Sequence, residues 1–419
     1  MDDSRRRCRT RVRESGELRP TDVIGAFFVL GIGFLVAAVV VAIANALEPW
    51  QWGRWLALHL AFVGGVSQLV LGASQFFAGA FLATDPPPRS LIRGELVAWN
   101  AGSILLAVAV PLSSDRMVEV AVALLLVTLA LYAVGLVRMH RASLQSAPWA
   151  TRWYAAGAGL FAVGIVAGAM LARALAWVHG DLLGAHMALN LAGWFGTAIL
   201  GTLHTFYPSL ARTTLRFPRL EPRTFGAWVV GVVALATGYG WAVGPLAIAG
   251  WIALSIAAVM LLANVAGCVL TGPRPMSLAA RIVGMAQVFL LAGLLLATTA
   301  ALADGFTQAL AGSTRAAVGI LLVAGWIGLT VLGSLVHLLA VVVRVRDLSR
   351  PMPPPRPRRE VSTAALAAAG IVGLVFAQQP GLADLRVPAL AALIGAYALL
   401  GSRVLALAAR VVTHARPSI

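Results

Sequence analysis

The chain has 419 residues, 60% of them hydrophobic and only 11% charged, a balance that excludes an ordinary soluble domain and points to repeated passage through a membrane. Its net charge of +16 contains no lysine, all 32 basic residues being arginine, and because these cluster between apolar runs the charge does not read as a nucleic-acid surface. With Cys8 in a basic leader and Cys268 inside an apolar run, neither a disulfide framework nor a cysteine metal site is supported.

Residues 1–21 form a basic segment, with arginines from Arg5 to Arg13, and no small-residue cleavage site follows the first apolar run. The segment therefore reads as a retained signal anchor with a cytoplasmic N-terminus. Apolar runs then predict an all-α membrane domain over 22–413, with spans at 22–47, 52–84, 91–112, 116–140, 150–177, 182–212, 224–243, 245–271, 278–303, 314–345, 361–379 and 386–411. Alternate loops are basic (Arg89 and Arg93, Arg138 to Arg152, Arg212 to Arg223, Arg274 and Arg281, Arg344 to Arg359). The loops between them carry Glu48, Asp115, Asp181, Asp304 and Asp384. Positive charge stays on the cytoplasmic side, so the pattern predicts twelve spans in the cytoplasmic membrane with both termini inside. Residues 346–360 are rich in Pro and Arg and read as an extended cytoplasmic linker.

Three blocks repeat: Gly64 to Gly72 in span 2, Gly193 to Gly201 in span 6 and Gly325 to Gly333 in span 10. The last two share Gly-Trp-x-Gly, and all three close on Leu-Gly. They start 129 and 132 residues apart, with four spans in each interval. The spacing predicts three four-helix units, at about 22–140, 150–271 and 278–413, related by a pseudo-threefold axis with spans 2, 6 and 10 innermost.

Histidines mark these inner spans. His186 and His204 are 18 residues apart on span 6, five helical turns, so they share a face with Asn190, Gly193, Thr197 and Gly201. Such a polar, small-residue stripe should face protein rather than lipid. With the closing glycine of each block as a ruler, His59 and His186 fall at one depth near the outer surface, and His204 and His337 near the inner surface with Gln75. Each is a metal-ligand candidate, since facing imidazoles are what a low-spin haem takes as axial ligands. Arg54, Arg173 and Arg315 are placed to meet haem propionates, and Gly64, Gly65 and Gly193 to leave room for a flat macrocycle. Trp52, Trp55, Trp149 and Trp153 read as interfacial belt residues, His179 as solvated in an outer loop, and His140 and His414 as ordinary cytoplasmic-end residues. Glu95 and Asn100 on span 3 could begin a polar path from the cytoplasm.

Twelve spans, cytoplasmic termini, three four-helix units and a His near the outer end of span 2 together resemble the catalytic subunit of the haem–copper oxidase and nitric oxide reductase superfamily. The resemblance implies His59 as a haem b ligand, and His186 in the place of a copper ligand. The chain departs from that pattern in lacking a His pair on span 7 and a His-x-His at the outer end of span 10, and in having Asn190 where oxidases often place Tyr. Copper is accordingly the weaker expectation, since it prefers several nitrogen ligands. The chain looks like a divergent relative, comparable to NnrS-like membrane proteins of nitric oxide metabolism, although a His-x-His-Glu type signature is missing. If it is an enzyme, the implied class is an oxidoreductase drawing on an electron-donor protein or quinol. A transporter or permease, and a cofactor-free structural subunit, are the alternatives that composition also fits. Membrane lipid is the expected surrounding in every case.

The loop charges generate the first test. A topology reporter fused after Ile419 is expected to read as cytoplasmic, and an exported reading would overturn the twelve-span arrangement.

Overall fold

A backbone crossing hydrocarbon must satisfy its own hydrogen bonds, and this chain does so with helices throughout. The computed structural model describes residues 20–143, 149–346 and 357–413; the leader with Cys8, the core of the linker at 346–360, and His414 lie outside them. Twelve long helices follow one another among the described residues, and no strand occurs there. They are α1 (Pro20–Leu47), α2 (Gly53–Leu82), α3 (Arg89–Ala109), α4 (Asp115–Ala142), α5 (Trp149–Ala172), α6 (Leu182–Ala211), α7 (Leu220–Gly240), α8 (Gly244–Thr271), α9 (Leu278–Asp304), α10 (Gly312–Arg344), α11 (Pro357–Phe376) and α12 (Arg386–Thr413). All but α7 are plainly long and apolar enough to cross a membrane, which marks a multi-pass membrane protein. Helix α7 opens on Leu-Glu-Pro-Arg and is held closely against α8, where Gly231 abuts Leu254 and Gly250 abuts Leu235.

The predicted spans match these helices to within a few residues, except at the end of span 5. There the helix stops at Ala172, and Ala174 turns left-handed (φ 49°). The apolar residues beyond it form a loop because Trp177 donates to Gly240 O at 2.7 Å, tying the loop to the end of α7.

The repeated glycines are where helices meet. A Cβ on Gly72 would meet Phe27 of α1, one on Gly201 would meet Trp153 of α5, and one on Gly333 would meet Ile282 and Val283 of α9. At the start of each block, Gly64 faces Phe34, Gly193 faces Leu160 and Gly325 faces Phe289. Phe27 and Phe34, Trp153 and Leu160, and Ile282 and Phe289 are each seven residues apart, so α2, α6 and α10 pack on their preceding neighbours in one register. Eleven residues past the closing glycine, α2 and α6 both end on a left-handed residue, Ala83 and Arg212.

These three helices share a second feature that the blocks did not announce. Each changes from α to π winding, at Leu60–Val66, Ala188–Gly196 and Ile320–Gly328. Wider winding disturbs the regular ladder, and in each case the carbonyl one residue before the first glycine takes an aromatic donor from another helix. Trp99 of α3 donates to Val63 O at 3.1 Å, Trp228 of α7 to Ala192 O at 3.0 Å, and Tyr397 of α12 to Ala324 O at 2.5 Å. π segments of this kind are rare and are frequent at functional sites.

The glycine contacts predict a sharp contrast. Gly201→Val should overpack against Trp153 and cost about 1–3 kcal/mol, whereas Gly159→Ala, where a Cβ meets nothing within 4 Å, should leave stability level or slightly raised. Thermal unfolding in detergent measures both.

Candidate functional site

A cavity of about 1050 Å³ lies between α2, α5, α6 and α10, toward the ends of those helices that carry the acidic loops. Its lining is mostly apolar, and aromatic rings close it: Phe62, Phe161, Phe195, Trp228 and Trp326. Phe62 and Phe195 touch with centroids 5.2 Å apart, and Trp228 and Trp326 at 6.1 Å, so the aromatic layer joins α2, α6, α7 and α10. Besides Trp and Tyr, the polar side chains that reach the cavity are few: Arg54, His59, Ser67, His186, Asn190 and Arg315.

His59 is the last residue of α2 before its π segment, and His186 precedes the π segment of α6 by one residue. The His59 ring stacks on Trp55 (centroids 4.0 Å apart, planes 24°), and its Nδ1 lies 2.8 Å from Trp55 O. A carbonyl only accepts, so Nδ1 carries the proton and Nε2 keeps its lone pair. The same logic holds for His186, whose Nδ1 lies 3.0 Å from Gly164 O on α5. Asn190 donates from Nδ2 to His186 O at 2.6 Å. Its 3.0 Å approach to Nδ1 packs the amide against the ring edge without a second bond, because that nitrogen already bears hydrogen. Gly168 makes room for the ring, since a Cβ there would come within 2.7 Å of His186 Cε1. Neither Nε2 has a hydrogen-bond partner among the described residues. Two imidazoles thus stand at one cavity with Nε2 free and Nδ1 tied to backbone.

Arg54 and Arg315 are exposed where they border the cavity, as expected of cations at its rim. Arg173 is not there. It pairs with acidic residues of α4, Nη1 lying 3.0 Å from Glu119 and Nε 3.7 Å from Asp115, because α5 packs beside α4 and Arg173 follows its last residue. The glycines at the cavity are also different ones. Gly64, Gly65 and Gly193 are occupied by Phe34, Leu35 and Leu160 of neighbouring helices, while Gly168, Gly184, Gly312 and Gly319 border the cavity. Trp52 and Trp55 border it too, and Trp153, expected at the interface, is fully buried.

The second histidine layer does not assemble. The stripe of α6 faces protein, as expected, but the protein is α5: Asn190 against Gly164, Thr197 against Gly157 and Gly201 against Trp153. His204 continues that stripe and stacks on Trp153, centroids 5.9 Å apart. Phe206, on the far side of the helix, is the residue that meets His337, at 5.6 Å and edge-on. Gln75 is engaged with Glu95 of α3 instead. Among the described residues no three His, Cys, Asp or Glu side chains converge to hold a metal ion.

Sequence reasoning missed Trp99, Trp228 and Tyr397. Both tryptophans lie 36 residues after the residue whose carbonyl they take, a regularity visible once the glycine blocks are aligned. Comparison with protein-family models finds no match for this chain, and comparison with curated proteins finds none.

The lock above the cavity is testable. Trp99→Phe leaves Val63 O without its side-chain donor and should cost about 1–3 kcal/mol, read as a lowered melting temperature in detergent, whereas Trp50→Phe at an exposed loop position should be neutral.

Proposed function

We propose that the cavity binds a b-type haem, with His59 Nε2 as an axial ligand and His186 as either the opposite ligand or a distal group. The observation that carries this reading is the pair of imidazoles, Nδ1 tied to backbone and Nε2 free, on one apolar cavity of about 1050 Å³. Hydrogen bonding from Nδ1 to a carbonyl fixes the ring and raises the basicity of the ligating nitrogen, a support that metal-binding histidines commonly have. The volume is of the size that suits a cofactor, at the upper end of the roughly 300–1,000 Å³ of ligand pockets. Arg54 and Arg315 supply counter-charge for propionates at the rim. Haem, when bound, supplies one-electron chemistry; the chain's own part is to hold the ring plane, exclude water with its aromatic layer and balance charge.

In this reading the chain is a divergent, NnrS-like relative of the haem–copper oxidase and nitric oxide reductase superfamily, built as three four-helix units about a pseudo-threefold axis. The common register of Gly72, Gly201 and Gly333 on α1, α5 and α9 supports that arrangement. If the protein is an enzyme it is an oxidoreductase of the cytoplasmic membrane, supplied by a donor protein or quinol, with nitric oxide chemistry as the implied field. Copper fits less well, because α7 brings no histidine and no third ligand joins His59 and His186.

The test is the optical spectrum of protein produced with ample haem. Axial ligation by both histidines predicts sharp low-spin bands that His59→Ala and His186→Ala each disturb. A distal His186 predicts that His59→Ala alone loses haem while His186→Ala alters binding of small axial ligands. Wild-type protein without Soret absorption would overturn the reading.

A further inference from the structure

A carboxyl group lies inside the bundle away from both histidines. Glu95 has no exposed surface and sits six residues, about 9 Å, into α3 from its start at Arg89. Gln75 of α2, itself buried, donates from Nε2 to Glu95 Oε2 at 2.7 Å and to Leu71 O at 3.2 Å, which uses both hydrogens of the amide. The neighbouring donors are also committed: Tyr132 of α4 donates to Ser74 Oγ at 2.8 Å, and Ser74 donates to Leu71 O at 3.2 Å. No arginine or histidine pairs with Glu95 among the described residues. Two buried atoms remain without a partner, Glu95 Oε1 and Gln75 Oε1, and as they stand both are acceptors.

One hydrogen resolves that mismatch. We propose that Glu95 is carried as a carboxylic acid whose Oε1–H donates to Gln75 Oε1, so that acid and amide form a neutral, doubly hydrogen-bonded pair holding an exchangeable proton within the membrane. The donor count carries the proposal, which is independent of any cofactor. A buried carboxylate without a cation is costly, and a buried acceptor without a donor costs further; the proton removes both penalties. On release the proton passes to water, and the Oε1–H···O bond is lost while the Nε2–H···Oε2 bond remains.

Further unpartnered polar groups lie along α2 and α3 on either side of the pair. Gln68, seven residues before Gln75 and on the same face, is fully buried with both amide atoms unpartnered, and Ser103 of α3 and Thr84 past the end of α2 each bury an unpartnered hydroxyl. Buried polar groups of this kind are those that ordered waters bridge. Ser67, beside Gln68, borders the histidine cavity, and Thr84 borders a smaller cleft with Asp85 and Arg138 at the basic-loop end. These groups are thus spread along α2 and α3 between the basic-loop end and the cavity, with Glu95 among them.

Infrared spectroscopy of the full-length protein at neutral pH reads the proton directly. Wild type should show a carboxylic-acid C=O band that shifts in D2O and disappears in Glu95→Gln. Gln75→Leu should keep the band and move it to higher frequency, since the bond to Oε2 is gone. As a measurement on wild type, which needs no variant to fold, dicyclohexylcarbodiimide should modify Glu95, because it attacks protonated carboxyls in apolar surroundings, and mass spectrometry locates the adduct. A band that survives Glu95→Gln, a band that does not shift in D2O, or an unmodified Glu95 would each overturn the proposal.

Discussion

Within hydrocarbon every backbone polar group needs a partner from the protein, and the architecture turns on how that requirement is met where three helices leave regular winding. The π segments of α2, α6 and α10 displace their carbonyls from ordinary partners, and indole or phenol groups from α3, α7 and α12 take up Val63 O, Ala192 O and Ala324 O. An unpaired carbonyl there would cost more than most single packing contacts contribute. The donors therefore fix the rotation of neighbouring helices as well as filling volume. The glycines beside these carbonyls let α1, α5 and α9 approach from another side, so each inner helix is held by an aromatic donor and by a glycine contact.

The cavity follows from that frame. His59 and His186 sit immediately ahead of the π segments of their helices, in the part of the bundle where the winding changes. Small residues leave space beside them and aromatic rings close the far side. Local hydrogen bonds to Trp55 O and Gly164 O hold Nδ1 of each ring and leave Nε2 without a protein partner.

Much of this was legible in the residues, and the boundary has physical reasons. Hydropathy and loop charge located the helices, since a span must be apolar over its whole length. Glycine spacing located the packing register, because close approach requires the absent side chain at fixed places. Helical periodicity put the His186 to His204 stripe on one face and forecast that the face meets protein; it could not say which helix would lie there, so His204 meets Trp153 and not His337. Arg173 misled because an arginine at a helix end pairs with whatever acid the next turn brings near, and α4 brings Glu119. The π segments were invisible, as no composition signal separates Ala188–Gly196 from ordinary apolar helix. Their trace was indirect, in the equal spacing of Trp99 and Trp228 from their acceptors.

Helices α2, α6 and α10 share a packing register but not their polar side chains. At the depth of His59 and His186, α10 contributes Arg315 to the cavity and no imidazole. Away from the cavity the polar clusters diverge further. The first, beside α2, buries Gln75 with Glu95; the second, beside α6, pairs Tyr154 with Thr202 at 2.9 Å; and the third, beside α10, links Gln287, Thr330 and Trp326. The hydroxyl and amide groups of the second and third clusters pair with one another and need no ionisable partner, whereas the first contains a carboxyl group and leaves two acceptors over. Similar glycine packing of α2, α6 and α10 thus goes with different polar side chains: Gln75 and Glu95 pair beside α2, and imidazoles line the cavity from α2 and α6. The ionisable side chains at and beside the cavity therefore come from α2, α3 and α6, while α10 brings Arg315 to its rim.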